Sequence, residues 1–426
     1  MSTYWVARAL LEQTTTRGVV LEAGADGRLG AVATGVERPP AGARTLGGPD
    51  GLALPGLVDA HSHAFQRALR GRAVGGDFWA WRAGMYRLVE RLDPDTMLDL
   101  ATAAFAELVL AGVTCVHEFH YLHQPAGMDD AVCEAARRAG IRLVLLDTCY
   151  LRAGFDGAAL DPVQRRFSDG DVDRWATRAE RMASANPDVT VGAAIHSVRA
   201  VDPASMAGVA RWARERQVPL HLHLSEQQAE NTACLAATGC TPTELAHDHG
   251  VLGSSTTAVH ATHLAAGDIA RLGSSGTTVC LCPTTERDLA DGVGPAATLA
   301  EAGCPLRLGS DSHAVVDLFE EARAVELDER MVTGRRGLHP PGALLGAASG
   351  GRRLAPGEPA DITVVDLGGT RLAGIDATEP GPMLVAAATA ADVTDVVVAG
   401  RHVVRQGRHT GLDVAAALRT AIAAVV

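Results

Sequence analysis

From about residue 53 onward, short apolar segments alternate with alanine-rich amphipathic segments along the chain. Segments such as 97–111 and 129–139 have the apolar spacing of helices, whereas the apolar segments between them resemble buried strands. Buried strands that are joined through helices are typical of a parallel sheet with both faces covered. Eight such strands predict an α/β fold, a TIM-like (β/α)8 barrel. We predict barrel strands at residues 53–61, 113–119, 141–147, 190–196, 218–224, 257–261, 277–282 and 305–310.

The two ends of the chain have a different sequence pattern from the central part. Residues 1–52 contain short strand-like runs between Gly and Pro turns, without a helical period. The same pattern of short strands and turns occurs after about residue 350. We therefore expect a small β-sandwich domain that is built from both termini, residues 1–52 and 350–426. The barrel would occupy residues 53–349.

Composition limits the classes of function that are open to the chain. The net charge of −12 argues against a nucleic-acid partner, because phosphate contacts need clustered basic residues. No apolar stretch reaches roughly 18 residues. The sequence also lacks an N-terminal targeting pattern, so we expect a cytoplasmic protein without a membrane partner. The eight cysteines have no regular spacing and are expected to be reduced.

Lysine is absent, and all 38 basic residues are arginines. A Schiff-base lysine is therefore excluded. A carboxylated lysine that bridges two metal ions is excluded as well. If the chain holds a metal, a single ion is the simpler expectation.

His61 and His63 come directly after the apolar run 54–60. In an extended strand the side chains of residues i and i+2 point to the same face, so the two imidazoles converge. Such a pair either binds a metal or simply packs, and the pair alone does not decide between these alternatives. Three later residues favour the metal, because each lies at the end of a predicted strand, where barrel active sites are built. They are His223, His260 and Asp311.

A mononuclear zinc hydrolase needs three or four protein ligands, an open position for water and a separate proton carrier. The candidate ligands are His61, His63, His223 and Asp311. Glu226, three residues after His223, can carry a proton from water to a leaving nitrogen. His260 can orient the water or polarise the reacting group, and Asp311 can accept a proton from that water. Glu226, His260 and Asp311 are therefore the candidate catalytic residues.

Each of these residues also has a purely structural alternative. His223 could be a core histidine, Asp311 a helix N-cap, and Glu226 a capping or exposed side chain. His221 precedes His223 by two residues and would lie deeper in the barrel, in a supporting role. Cys280 and Cys282 alternate within an apolar strand, which fits core packing better than metal binding.

The positions of the histidines and the aspartate at strand ends resemble the amidohydrolase superfamily. The spacing of His223 and Glu226 resembles its mononuclear deaminase branch. Within that branch, segments across essentially the whole chain are similar to the deiminases that act on N-formimino-L-glutamate in histidine degradation. These segments are HSHAFQRALRG (61–71), WAWRAGMYRLVERLDP (79–94), EFHYLH (118–123), IHSVRAV (195–201), HLHLSEQ (221–227) and CPTTERDLADG (282–292).

The resemblance implies one Zn2+ per chain on the four candidate ligands, and it implies a homodimer. It also implies that Glu226 and His260 handle protons and the formimino group of a small acidic substrate, N-formimino-L-glutamate. A dicarboxylate suits arginine, whose forked guanidinium is always charged. The residues implied to hold the glutamate portion or to line its pocket are Gln66, Arg87, Tyr121, His196 and Arg199. Arg87 lies in a predicted helix, where an exposed surface arginine is an equal alternative.

One segment departs from the family pattern. Many related deaminases have an Asn after strand seven, where this chain has Arg287 and Asp288. An extra acid near an acidic substrate would need a partner, and Arg287 is a candidate for that role.

Two rival functions stay open. A guanine-type or nucleoside-type deaminase would use the same metal site but would favour aromatic stacking, and aromatic residues make up only 4% of the chain. A non-catalytic barrel scaffold is the remote alternative, because fold alone does not establish activity. The complete set of candidate ligands argues against the scaffold.

Overall fold

The computed structural model describes residues 2–12, 14–72 and 75–426. Within these ranges the chain forms seventeen strands and fourteen α-helices. The strands are β1 Ser2–Leu11, β2 Thr14–Ala23, β3 Leu29–Ala33, β4 Arg44–Leu46, β5 Gly51–Pro55, β6 Leu57–Ser62, β7 Val113–His120, β8 Arg142–Cys149, β9 Thr190–Ser197, β10 Leu220–Leu224, β11 Thr256–His260, β12 Thr278–Leu281, β13 Leu306–Leu308, β14 Ile362–Asp366, β15 Val393–Val398, β16 Arg401–Arg405 and β17 Arg408–His409.

Helices fill most of the connections between the strands, and three short 3-10 helices occur at Ala64–Leu69, Gln164–Phe167 and Ala390–Asp392. Several helices begin directly after an Asp whose side chain accepts a backbone N–H, as Asp93 does from Thr96 before α2. The helices are α1 Phe78–Val89, α2 Pro94–Leu110, α3 Met128–Ala139, α4 Val172–Ala185, α5 Pro203–Arg216, α6 Gln228–Thr238, α7 Pro242–Asp248, α8 Ala266–Ser275, α9 Pro283–Asp288, α10 Ala296–Glu301, α11 Leu318–Thr333, α12 Pro341–Ala348, α13 Gly381–Ala387 and α14 Val414–Val425.

Strands β6 to β13 pair in parallel with their neighbours in chain order, and β13 returns to β6. At this seam the backbone N–H of Asp311 donates to the His61 carbonyl at 2.9 Å, and the N–H of His63 donates to the Asp311 carbonyl at 2.9 Å. The buried Asp59 carboxylate strengthens the seam by accepting the Ser310 N–H at 2.9 Å and the Ser310 hydroxyl at 2.5 Å. The predicted (β/α)8 barrel is confirmed.

Gly309 permits this closure. A Cβ atom on residue 309 would lie 2.7 Å from the His61 carbonyl oxygen and 2.8 Å from the His61 Cβ. Contacts this short would push β13 away from β6, so only glycine allows the two backbones to approach. The chain can then place Asp311 beside His61.

The predicted first strand, 53–61, is wrong in one respect, because it is two strands. β5 pairs with β1 and β14 of the terminal sheet, whereas β6 belongs to the barrel. Gly56 lies between them, and a Cβ atom on it would come within 2.3 Å of the Thr114 hydroxyl. The sequence did not reveal this boundary, because the apolar run continues without a change of period where the chain passes from one sheet to the other.

The two termini form one continuous nine-stranded sheet in which β14 to β17 extend the N-terminal strands. Its own apolar core brings Tyr4 and Leu21 from the N-terminal strands together with Ile362 and Val397 from the C-terminal strands. The expected small β domain built from both termini is therefore confirmed. Helix α14, at the end of the chain, instead packs against α2 of the barrel.

The structure bears on two expectations drawn from composition. The cysteines are all free, and seven of the eight are buried. Among the described residues, every helix is too short or too polar to cross a membrane.

Candidate active site

The predicted metal ligands converge at the carboxyl ends of the barrel strands. The Asp311 Oδ1 atom lies 3.2 Å from the His61 Nε2 atom and 3.3 Å from the His63 Nε2 atom. The His61 and His223 Nε2 atoms are 3.1 Å apart. A tetrahedral zinc ion with bonds of about 2.0–2.1 Å requires ligand atoms about 3.3 Å apart. These spacings and donor types suit zinc, and two overlapping groups could hold a metal ion: His61, His63 and His223, and His61, His260 and Asp311.

The histidine side chains are oriented through their second ring nitrogens. The Nδ1 atom of His63 lies 2.8 Å from the Phe119 carbonyl, and that of His223 lies 2.9 Å from the His196 carbonyl. A carbonyl only accepts, so each Nδ1 carries the proton and each Nε2 offers its lone pair to the site. Burial lowers the pKa of His63 to about 3 and that of His223 well below 6.5, which keeps both in the neutral form that binds metals.

Backbone strain is concentrated at the same end of the barrel. Ser225, His260 and Asp311 adopt positive φ angles of 51°, 68° and 46°, a region that non-glycine residues avoid. Each such residue costs about 1–3 kcal/mol and persists only where the surrounding structure enforces it. The strained turns direct His260 and Asp311 towards the ligand cluster.

His260 and Glu226 lie beside the candidate ligands. The His260 Nε2 atom is 3.8 Å from Glu226 Oε1 and 3.9 Å from Asp311 Oδ2. Burial opposes the charged form of His260, but the carboxylates of Glu226, Glu286 and Asp311 outweigh it and raise its pKa well above 6.5. Burial raises the pKa of Glu226 to about 7, even though His260 opposes this shift. Glu226 can therefore gain and lose a proton near neutral pH.

A cavity adjoins the candidate ligands and contains four of the five predicted substrate-binding residues. Gln66, Tyr121, His196 and Arg199 all line it. The Gln66 side-chain amide donates to the Tyr121 hydroxyl at 2.9 Å. Their roles in binding stay predictions, but the fold places them together beside the metal ligands.

The fifth prediction, Arg87, is wrong. Arg87 is exposed on α1 and does not line the cavity, whereas Arg82 does. Five residues of helix correspond to a rotation of about 140°. Arg82 therefore shares the face of Met85 and Tyr86, which also line the cavity, and Arg87 faces away. The guanidinium of Arg82 donates to the Tyr86 hydroxyl and lies 4.8 Å from the centre of the Tyr86 ring.

Two further acids belong to the site and were missed. Glu230, four residues after Glu226, lines the cavity, and burial raises its pKa while Arg199 opposes the shift. Glu286 lies 3.3 Å from the His260 Nδ1 atom and also accepts the Cys282 N–H at 2.9 Å. Both acids lie five or six residues after the end of a barrel strand, but this position does not distinguish them from exposed acids.

Glu286 changes the interpretation of the neighbouring segment. The suggestion that Arg287 pairs with Asp288 is wrong, because Arg287 binds Asp328 at 2.8 Å and Glu320 at 3.2 Å on α11. Asp288 is exposed. The acid that faces the site from α9 is therefore Glu286.

Aromatic side chains form much of the cavity wall. Six of the sixteen aromatic residues of the chain line it, so the low overall content does not describe this pocket. The argument from composition against a purine substrate is therefore weak. The six residues are Phe78, Trp81, Tyr86, Tyr121, Tyr150 and Phe167.

The profile of the Amidohydrolase family matches residues 52–403. The chain belongs to this family. It is similar to the formimidoylglutamate deiminase of Pseudomonas aeruginosa, with 35% identity over 446 aligned positions that cover 96% of each chain. An 8-oxoguanine deaminase of the same species is 32% identical over 86% of this chain and 85% of its own.

A solved structure extends the similarity to the whole fold. An adenosine deaminase from Xanthomonas campestris with bound zinc has a TM-score of 0.87 and 25% identity, covering 99% of this chain and 97% of that one. The resemblance drawn from the sequence motifs is confirmed at the level of the amidohydrolase family. The similar proteins named above are all deaminases or deiminases.

Proposed function

We propose that this amidohydrolase is a zinc-dependent deiminase that converts N-formimino-L-glutamate to N-formyl-L-glutamate and ammonia. The observation that carries the proposal is the pair of arginines, Arg82 and Arg199, that line one cavity with the metal ligands. A substrate with two carboxylates needs fixed cations, and the guanidinium fork matches a carboxylate. The similarity to the Pseudomonas aeruginosa formimidoylglutamate deiminase supports the same substrate.

One zinc ion would be held by His61, His63, His223 and Asp311, whose donor atoms have suitable spacing. When bound, zinc lowers the pKa of water from 15.7 to about 7 and so provides a nucleophile at neutral pH. This supply of hydroxide is the chemistry that the amidine carbon requires.

The side chains around the ligands complete the reaction. Glu226, with its pKa near 7, takes a proton from the attacking water and delivers it to the imino nitrogen. As the carbonyl forms, Asp311 accepts the remaining hydroxyl proton and passes it to the same nitrogen, which then leaves as ammonia. Glu286 holds the His260 Nδ1 atom, so that the His260 Nε2 atom faces Asp311 and Glu226. His260 thereby orients the water and polarises the formimino group.

A purine deaminase is the second candidate, because aromatic walls suit a flat heterocycle. The 8-oxoguanine deaminase relative adds weight to this alternative. A neutral purine has no group that would pair with both Arg82 and Arg199, and this difference favours the acidic substrate.

Ammonia release by the zinc-loaded protein tests the proposal, with N-formimino-L-glutamate, 8-oxoguanine and adenosine as parallel substrates. Turnover of N-formimino-L-glutamate that exceeds turnover of both purines by a hundredfold or more would support the proposal. Preferred turnover of a purine would retain the metal site and refute the assignment of the two arginines. The homodimer, the cytoplasmic location and the lack of nucleic-acid and membrane partners stay predictions.

A further inference from the structure

The barrel contains a second cavity, of about 170 Å³, in the half that is remote from the metal ligands. It shares no lining residue with the substrate cavity. A small buried cluster of Ala60, Val259, Cys280 and Cys282 adjoins this cavity through Ala60. The lining residues of the second cavity are Val58, Ala60, His117, His221, Thr257, Thr278, Arg307, Gly350 and Arg352.

Two arginines give this cavity an excess of positive charge. Arg352 pairs with Asp361 at 2.8 Å, but Asp361 is shared with Arg142 at 3.1 Å. Arg307 donates to its neighbour, the Leu306 carbonyl, at 2.7 Å, and no described carboxylate lies within salt-bridge distance of it. Arginine stays charged in proteins. Arg307 is half-buried, and a guanidinium without a protein counter-ion favours a bound oxyanion.

The cavity also presents unused hydrogen-bonding atoms. Within the described residues, the Nδ1 atoms of His117 and His221 are buried and have no partner. The two rings are neighbours, with centroids 5.5 Å apart, and His221 is only 1% exposed. Thr257 and Thr278 add hydroxyl groups to the same wall. Polar atoms that are buried in this way are normally satisfied by a ligand or by ordered water.

We propose that this cavity is a binding site for a small oxyanion, a phosphate or a carboxylate of similar size, held by Arg307 and Arg352. The guanidinium forks match either anion, and the histidine N–H groups and threonine hydroxyls donate to the remaining oxygens. Burial and the charges of Arg352 and Arg307 lower the pKa of His117 to about 4, so its imidazole is neutral and retains one N–H donor at neutral pH. Water would satisfy the hydrogen bonds of the half-buried Arg307, whereas an anion would also pair with its charge. The site is independent of the substrate proposed above.

Calorimetric titration of the zinc-loaded protein tests this site, with inorganic phosphate and acetate as separate probes after exhaustive dialysis. Because either anion can also bind in the substrate cavity, the new site is identified by the anion whose binding persists in Arg199→Met. Binding at this site should be unchanged in Arg199→Met and at least tenfold weaker in Arg307→Met. Arg408→Met removes an exposed arginine and is the matched control for the loss of one positive charge. The preferred probe identifies the kind of oxyanion.

A second, milder variant keeps the test informative if Arg307→Met does not fold. Thr278→Val removes one hydroxyl and no charge, and we expect it to weaken anion binding about threefold with unchanged thermal unfolding in anion-free buffer. Crystals grown with selenate should show anomalous density between Arg307 and Arg352. Two results would overturn the proposal: binding that is lost in Arg199→Met but retained in both cavity variants, or no binding of either anion to the wild-type protein.

Discussion

The sequence predicted Arg87 as a substrate-binding residue, but the structure places Arg82 in the cavity instead, so the substitution of Arg82 is the most informative. Arg82 lines the cavity from α1, and one of its N–H groups is bound to the Tyr86 hydroxyl. The remaining N–H groups can bind a substrate carboxylate. A hydrogen bond to a charged group contributes about 1.5–3 kcal/mol, so Arg82→Met should lower kcat/KM for N-formimino-L-glutamate roughly 10- to 150-fold. Because the carboxylate is remote from the reacting carbon, most of the change should appear in KM.

Arg87→Met is the matched control, because it removes the same side chain from the same helix at an exposed position. We expect steady-state ammonia release by this variant to stay within about twofold of wild type, since exposed substitutions change little. An equal fall in kcat/KM in the two variants would mean that α1 affects catalysis through its overall charge or its stability. Wild-type activity in Arg82→Met would refute its role as a carboxylate ligand.

Three further predictions concern the proton carrier, a buried acid and the metal. Glu226→Gln should abolish turnover while zinc content, measured by atomic emission, stays near one per chain; loss of zinc would instead make Glu226 a ligand. Burial raises the pKa of Glu118 from 4.5 to about 8. The folded state therefore binds this proton more tightly than the unfolded state, and the stabilisation present below pH 4.5 is lost as the pH rises towards 8. Denaturant unfolding should show Glu118→Gln gaining stability relative to wild type between pH 5 and 8, and a pH-independent difference would contradict this. A free zinc concentration of a thousandfold its Kd stabilises the folded state by about 4 kcal/mol. A chelator should therefore lower the Tm by about 5 °C for a chain of this size, and it should also stop ammonia release. An Asp311→Asn variant whose Tm falls equally with chelator would contradict the ligand assignment.

The sequence predicted the barrel and the convergence of the candidate metal ligands because both depend on local patterns. Apolar runs of strand length identify the eight strands, and polar residues at strand ends must meet at one end of a barrel. The positions of His61, His223 and Asp311 follow from these two facts alone. The convergence of these residues is therefore a consequence of topology, whereas the distances between them depend on how the barrel closes.

The orientation of side chains outside the strands could not be predicted in this way. Arg82 and Arg87 are both basic residues of one helix, and only the packing of α1 decides which of them faces the cavity. Tyr86 contacts Phe167 from a distant segment, with ring centroids 6.0 Å apart, and this contact helps to fix the helix rotation. The same ambiguity affected Glu286, which lies next to Arg287 in the short helix α9 but is the residue that faces His260.

The candidate metal site and the closure of the barrel are parts of one structure. Asp311 is held between His61 and His63 by two backbone hydrogen bonds, and its carboxylate contacts the imidazoles of the same two residues. Its left-handed backbone conformation, with φ of 46°, is unfavourable for aspartate and persists because the seam enforces it. Gly309 allows the strands to approach, so the seam sets the distance between the Asp311 carboxylate and the histidine nitrogens. A substitution of Gly309 that opens the seam would therefore disturb the candidate metal site, although residue 309 lies outside the substrate cavity.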